Sequence, residues 1–258
     1  MKVIATLAGL AALTLTALGG PEPLPESKES KAVVAPERPI YNWTGFYIGI
    51  NGGYAWDLTA DVSDLDFLNV GPPVGSWSVD ADGPVGGAQI GYNWHAWQIS
   101  KDPLALIIGV EGDGGYFGVY GHSRQPGSLG AGTFAKVNPG AYATARGRVG
   151  LAWDRWLFYA TGGWIGSNYE RKVVDNEICQ CGTVLGSGED EDWRSGWTVG
   201  GGIEWAFRPQ HWTMKIEYLY YDFDDTVVDV HIFQSGIFRF GWDDNTGNLI
   251  RAGLNYRF

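Results

Sequence analysis

Several things are scarce in this chain of 258 residues. After the amino terminus there is no apolar run of about eighteen residues, which excludes a helical membrane protein. A β-barrel survives that test, because its spans carry a far weaker hydropathy signal. Positive charge is short too: 18 Lys and Arg against 29 Asp and Glu leave a formal net charge of −11. Phosphate recognition needs a basic face, so a nucleic-acid partner is excluded. Histidines number 4 and cysteines 2, which leaves little material for nucleophile–base pairs, metal sites or disulfides. Charged residues make up 18%, below the roughly one quarter of ordinary globular domains. What the chain has instead is 39 glycines and 14% aromatic residues, a mixture that points to many short strands and tight turns. The length suits one large β domain or two small ones.

Three regions are expected. Residues 1–19 have the pattern of a secretory signal: Lys2 supplies a positive start, Val3 to Leu18 an apolar core, and Ala17 and Gly19 a small-residue cleavage pattern. With no cysteine beside that cleavage site, a lipid anchor is not expected. Residues 20–40 are proline-rich and charged, too polar to pack, and read as a flexible periplasmic linker. Residues 41–258 carry the fold.

The stretch "WTGFYIGINGGYAW", Trp43 to Trp56, shows the governing pattern. Side chains of a strand alternate between faces. One register gives Phe46, Ile48, Ile50, Gly52, Tyr54 and Trp56; the other gives Gly45, Tyr47, Gly49, Asn51, Gly53 and Ala55. About eight such segments follow one another, each near the roughly 9–11 residues that span a membrane as a tilted strand. Glu111, Asp113, Arg146, Arg148, Glu204, Lys215, Glu217 and Arg251 all fall on the glycine-bearing face near mid-strand. Four acids and four bases on one face can neutralise one another.

The connections decide which face looks inward. Those near "QISKDP", "WDRW" and "RPQH" are short, whereas those after the first, third, fifth and seventh segments are long. That alternation belongs to outer-membrane barrels. Tryptophans gather at segment ends: Trp43, Trp97, Trp153, Trp156 and Trp212 beside the short turns, Trp56, Trp164 and Trp197 toward the long links. Two aromatic girdles suit two membrane–water interfaces. The expectation is an all-β, eight-stranded antiparallel transmembrane β-barrel with short periplasmic turns and four long outer loops. Its apolar face meets lipid, and its lumen is plugged by the paired charges, because eight strands leave only enough room for side chains. A narrow water-filled path stays open as the alternative, which would make the protein a narrow porin for ions or small solutes. A secreted soluble binding barrel is a third reading.

The stretches "NWTGFYIGINGGYAW", "IGVEGDGGY", "RGRVGLAW", "ATGGW", "GWTVGGGIEWAF", "KIEYLYYDF" and "RAGLNYRF" resemble the outer membrane immunogenic protein family. These are small porin-like, or opacity-like, barrels of Gram-negative bacteria, common in alpha-proteobacteria. The resemblance covers Tyr41 to Phe258. It implies the cell outer membrane as location, with membrane lipid and lipopolysaccharide as surroundings. It also implies a surface-antigen and envelope-stabilising role. Phe258, with Tyr256 and Leu254 alternating before it, matches the carboxy-terminal signal read by the barrel-assembly machinery, which is the implied partner. No catalytic residue and no cofactor carries over, and the family does not fix the long loops or any host or surface ligand.

His95 and His211 fall near periplasmic turns, and His122 and His231 in different outer loops, so no catalytic constellation is expected. Cys179 and Cys181 form a C-x-C in the third long loop, for which a local disulfide, an intermolecular pairing and a metal site stay open in that order. Asp57, Asp61, Asp64, Asp66, Asp80 and Asp82, then Glu189 to Asp192, then Asp224, Asp225, Asp229, Asp243 and Asp244 make the outer loops acidic. A solvated, repulsive surface is one reading and divalent-cation bridging to lipopolysaccharide the other. No spacing matches a defined calcium loop, so no metal site is assigned. The triplet Gly200 to Gly202 lacks the helix and lysine of a phosphate cradle and reads as tight curvature.

Overall fold

In the computed structural model the described residues are 40–65, 76–99, 104–126, 130–179, 182–183, 186–207, 211–232 and 236–258. The expected signal and nearly all of the linker lie outside them, as does Cys181. The side chain of Cys179 is likewise outside what is described, so the C-x-C question stays where the sequence left it.

The described residues form strands and no helix: β1 (Gly45–Asp64), β2 (Ser76–Gln98), β3 (Leu104–Phe117), β4 (Tyr120–Arg124), β5 (Gly130–Trp153), β6 (Trp156–Cys179), β7 (Gly182–Thr183), β8 (Gly186–Phe207), β9 (Trp212–Phe223), β10 (Thr226–Ile232) and β11 (Gly236–Arg257). Eight of them close a ring in the order β8, β9, β11, β1, β2, β3, β5, β6 and back to β8, every pairing antiparallel. Closure leaves no unpaired edge, the condition for a sheet in hydrocarbon. Where β3 and β9 stop, short strands continue the wall: β4 between β2 and β5, β10 between β11 and β8. The turn from β5 to β6 is tight, with Trp153 paired to Trp156 and Asp154 at φ 50°. Aspartate tolerates that left-handed conformation better than most residues.

The faces fall as the alternation predicts. Ile50 and Ile216 on the outside are 65% and 57% exposed, while Glu111 and Arg148 on the inside are 4% and 5% exposed. Ile48, Ile90, Ile108 and Leu254 share the outer face. On β6, Phe158 and Trp164 also face outward. Glycine explains part of the tight fit. A Cβ on inward Gly53 would lie 2.0 Å from the Ile250 carbonyl oxygen, whereas one on outward Gly52 meets nothing closer than 3.8 Å.

Two features differ from expectation. The strands do not stop after about ten residues: β1 has 20, and β5 and β6 have 24 each. Much of what reads as loop is therefore wall standing beyond the membrane, including Asp61, Asp80, Asp82 and Glu189 to Asp192. There the polarity reverses. Leu58, Ala60, Val62, Trp77, Val79 and Ala81 point in and are buried, and acids and hydroxyls point out. On β1 the reversal coincides with a bulge: Ala55 and Leu58 both face in, the register slips between them, and Asp57 sits at φ 49°. The second difference is Trp43. It stands in no girdle; it is 2% exposed and closes the periplasmic mouth of the lumen.

Candidate functional site

Three layers fill the lumen. The lowest is apolar: Trp43 packs with Ala105, Ile107, Ala152, Leu157 and Ala206. It is held by its ring N–H donating to the Asp154 carbonyl at 2.8 Å, by an Arg257 guanidinium 5.4 Å over its ring, and by a hydrogen bond from Arg257 to its carbonyl. The Tyr41 N–H donates to Asp154 Oδ1 at 3.2 Å, so the segment before β1 is strapped across the mouth.

The middle layer holds the eight charges read from the sequence, all buried. Each comes from the inward register of β3, β5, β8, β9 or β11, and closure of the ring brings them together. Glu111 is the hub: Oε1 accepts from Arg146 Nη2 at 2.5 Å and Lys215 Nζ at 2.7 Å, and Oε2 from the Tyr47 hydroxyl at 2.7 Å. Asp113 accepts from Arg146 Nη2 at 2.7 Å, from Arg251 Nη1 at 2.8 Å and from the Thr144 hydroxyl at 2.6 Å. Glu217 lies 2.7 Å from Arg251 Nη2, and Glu204 lies 2.6 Å from Arg148 Nη2. Removing such charges from water is repaid only by close opposite charge and added hydrogen bonds, and both are present.

The sequence reading missed the neutral partners. Tyr159 donates to Glu217 at 2.9 Å, and its ring lies 4.3 Å under the Arg148 guanidinium. Asn255 and Thr213 donate to Glu204, and Gln89 donates in turn to Asn255. Tyrosine reads as an aromatic in a pattern scan, yet Tyr47, Asn255 and Gln89 share the inward register, and that register is the signal that would have found them.

The upper layer is apolar and aromatic. Phe117, Tyr142, Tyr169, Leu219, Tyr221, Phe223 and Trp242 fill it, with Phe117 and Tyr142 ring centroids 4.6 Å apart. The expected small and polar inner face therefore holds only for the middle layer, between two apolar ones. Leu254, Tyr256 and Phe258 form a separate outward row; Phe258 is 68% exposed and its N–H donates to the Phe46 carbonyl at 3.0 Å. His211 Nδ1 donates to the Arg257 carbonyl at 2.9 Å at the lower end, and His122 lies beside Tyr120 in β4 with ring centroids 5.7 Å apart, so these two histidines are not gathered.

This geometry can be set beside known proteins. The 31 kDa outer-membrane immunogenic protein of Brucella melitensis is 33% identical over 239 residues, covering 89% of this chain and 90% of that one. The 22 kDa outer membrane protein of Rhizobium leguminosarum bv. viciae is 29% identical over 228 residues, with coverages of 87% and 82%. The crystal structure of the outer membrane protein OprG from Pseudomonas aeruginosa superposes with a TM-score of 0.51 at 14% identity, covering 84% of this chain and 98% of that one, a likeness of fold. The family described as outer membrane protein beta-barrel domain matches residues 32–258. A chain with an inside-out, closed eight-stranded sheet thus belongs to the outer membrane protein β-barrel domain family and resides in the outer membrane.

Proposed function

We propose that this protein is a structural, surface-exposed barrel that contributes to envelope integrity and has a lumen closed by its own side chains. The observation that supports this most is the filled lumen: Trp43 below, Glu111 with its four donors in the middle, and an aromatic layer above. A barrel of eight strands has no width left once such layers are in place. Membrane lipid and lipopolysaccharide are the surroundings proposed for the exposed Ile, Leu and Trp band, and the barrel-assembly machinery is proposed to read Phe258, Tyr256 and Leu254. The relatives named immunogenic suggest that the acidic outer wall is also an antigen.

Planar-bilayer recording tests the closed lumen. Reconstituted protein is expected to stay silent, whereas stable and reproducible openings would establish the narrow-porin reading in its place. Antibody raised against the outer wall should label intact cells; labelling only after permeabilisation would remove the surface role.

A further inference from the structure

The buried charges of the central layer balance, four acids against four bases. Two more arginines are buried, Arg171 and Arg257, and neither has an acid within ion-pair distance among the described residues. Arg257 lies at the lower mouth and donates to the Trp43 carbonyl. Arg171 is the more isolated. It is 0% exposed, inside the upper aromatic layer, above the membrane band, where its strand neighbours Glu170 and Lys172 face outward.

Its immediate surroundings are ring faces, hydroxyls and one amide, and the carboxylates of Asp190 and Asp225 act on it only from beyond ion-pair distance. The guanidinium lies 4.8 Å over the Tyr169 ring and 5.7 Å over the Trp242 ring. Nη2 donates to Asn245 Oδ1 at 3.0 Å, while Nε and Nη1 have no acceptor among the described residues. The Tyr169 and Tyr221 hydroxyls and the Trp242 ring N–H are buried without a partner as well. Every one of these groups has a proton to give. Burial pushes Arg171 down to about 10, so it still carries its charge at neutral pH. A cation held in an apolar chamber needs a counter-charge or hydrogen-bond acceptors, and ring faces and one amide meet only part of that need.

We propose that Arg171, with the donors of Tyr169 and Trp242 beside it, forms a binding site for one small monovalent anion in the outer half of the barrel. One unit of unpaired positive charge calls for one negative charge, and the packed aromatic walls favour an anion of halide size. The site is independent of whether the central layer conducts.

The test uses the full barrel in detergent micelles, unfolded by heat and read by gel migration. Sodium chloride and bromide are compared with sodium gluconate at equal ionic strength. Binding to the folded state alone raises the midpoint, and chloride at many times its dissociation constant is expected to add about 5 °C. Arg171→Met should remove the difference between chloride and gluconate, and Arg171→Lys should keep part of it. Tyr169→Phe and Trp242→Phe preserve the ring faces but lose a donor, so they should shrink the chloride effect even if Arg171→Met fails to fold. Identical midpoints in chloride and gluconate for the wild type would overturn the proposal. So would an undiminished chloride effect in both ring variants.

Discussion

At the scale of single residues the central layer is a set of mutual dependences. Glu111 accepts from Lys215, Arg146, Arg148 and the Tyr47 hydroxyl, so Glu111→Ala takes the close acceptor from Lys215 and leaves the buried layer one negative charge short. Leaving buried charge uncompensated costs about 3–5 kcal/mol. Folding titrations in urea with lipid vesicles should show that loss, and Lys172→Ala, which breaks an exposed pair with Glu189, should show no measurable change. Equal effects of the two would mean that the lumen charges do not hold the barrel. Trp43 answers a different need, that of closing the lower mouth. Trp43→Ala should cost about 3–5 kcal/mol as a large buried ring is lost, and channel recording should stay silent, because the charged and aromatic layers above still fill the lumen. The eight charges were legible because parity along each strand put them on one face. Trp43 was not, since it precedes β1 and has the composition of a girdle residue; only the strap through Asp154 turns it inward.

At the scale of strands, curvature and reversal carry the information. A Cβ on Gly53 would meet the Ile250 carbonyl oxygen at 2.0 Å and Arg251 Cα at 2.7 Å, whereas one on Gly52 would make only an ordinary contact at 3.8 Å with the Val85 carbonyl oxygen. Gly53→Ala is therefore expected to destabilise by at least about 1–3 kcal/mol while Gly52→Ala is tolerated, a contrast measurable by the fraction folded at fixed urea. If the two behave alike, tight curvature is not the reason for inward glycine. The bulge at Asp57 gives a second contrast. With φ at 49°, Asp57→Gly relieves strain and should hold or raise stability, and Asp57→Val should lower it by about 1–3 kcal/mol. The outer halves of the strands were hidden by their acids. Thr59, Asp61 and Ser63 alternate with Ala60 and Val62, and Ser78, Asp80 and Asp82 with Trp77, Val79 and Ala81, a strand pattern whose polarity is the reverse of the membrane half. A reading that seeks apolar-out takes these stretches for loops. The physical reason for the reversal is the change of solvent, lipid below and water above, which exchanges the faces that must be apolar.

At the scale of the whole molecule, closure makes the structure one cooperative unit. With every strand of the eight-membered ring paired on both sides and the lumen packed, unboiled protein should migrate as a compact species in detergent gels and slow on boiling. A single migration at both temperatures would contradict a closed barrel in solution. Deleting Phe258 should lower the yield of folded protein in the outer membrane without altering the stability of the molecules that do assemble, because its ring is outward and 68% exposed. Loss of stability in place of yield would make it an ordinary wall residue.

The sequence by itself determined the alternation, and with it the strand class, the lipid-facing side of the membrane half, and the eight ionised residues of the inner side. Local composition suffices for that, because strand geometry ties every second residue to one face. Only the tertiary structure decided which acid meets which base, that Trp43 is a stopper, and that the upper lumen is aromatic with Arg171 inside it. Those outcomes depend on ring closure, which sets residues such as Glu111 and Lys215, far apart in the chain, 2.7 Å from one another.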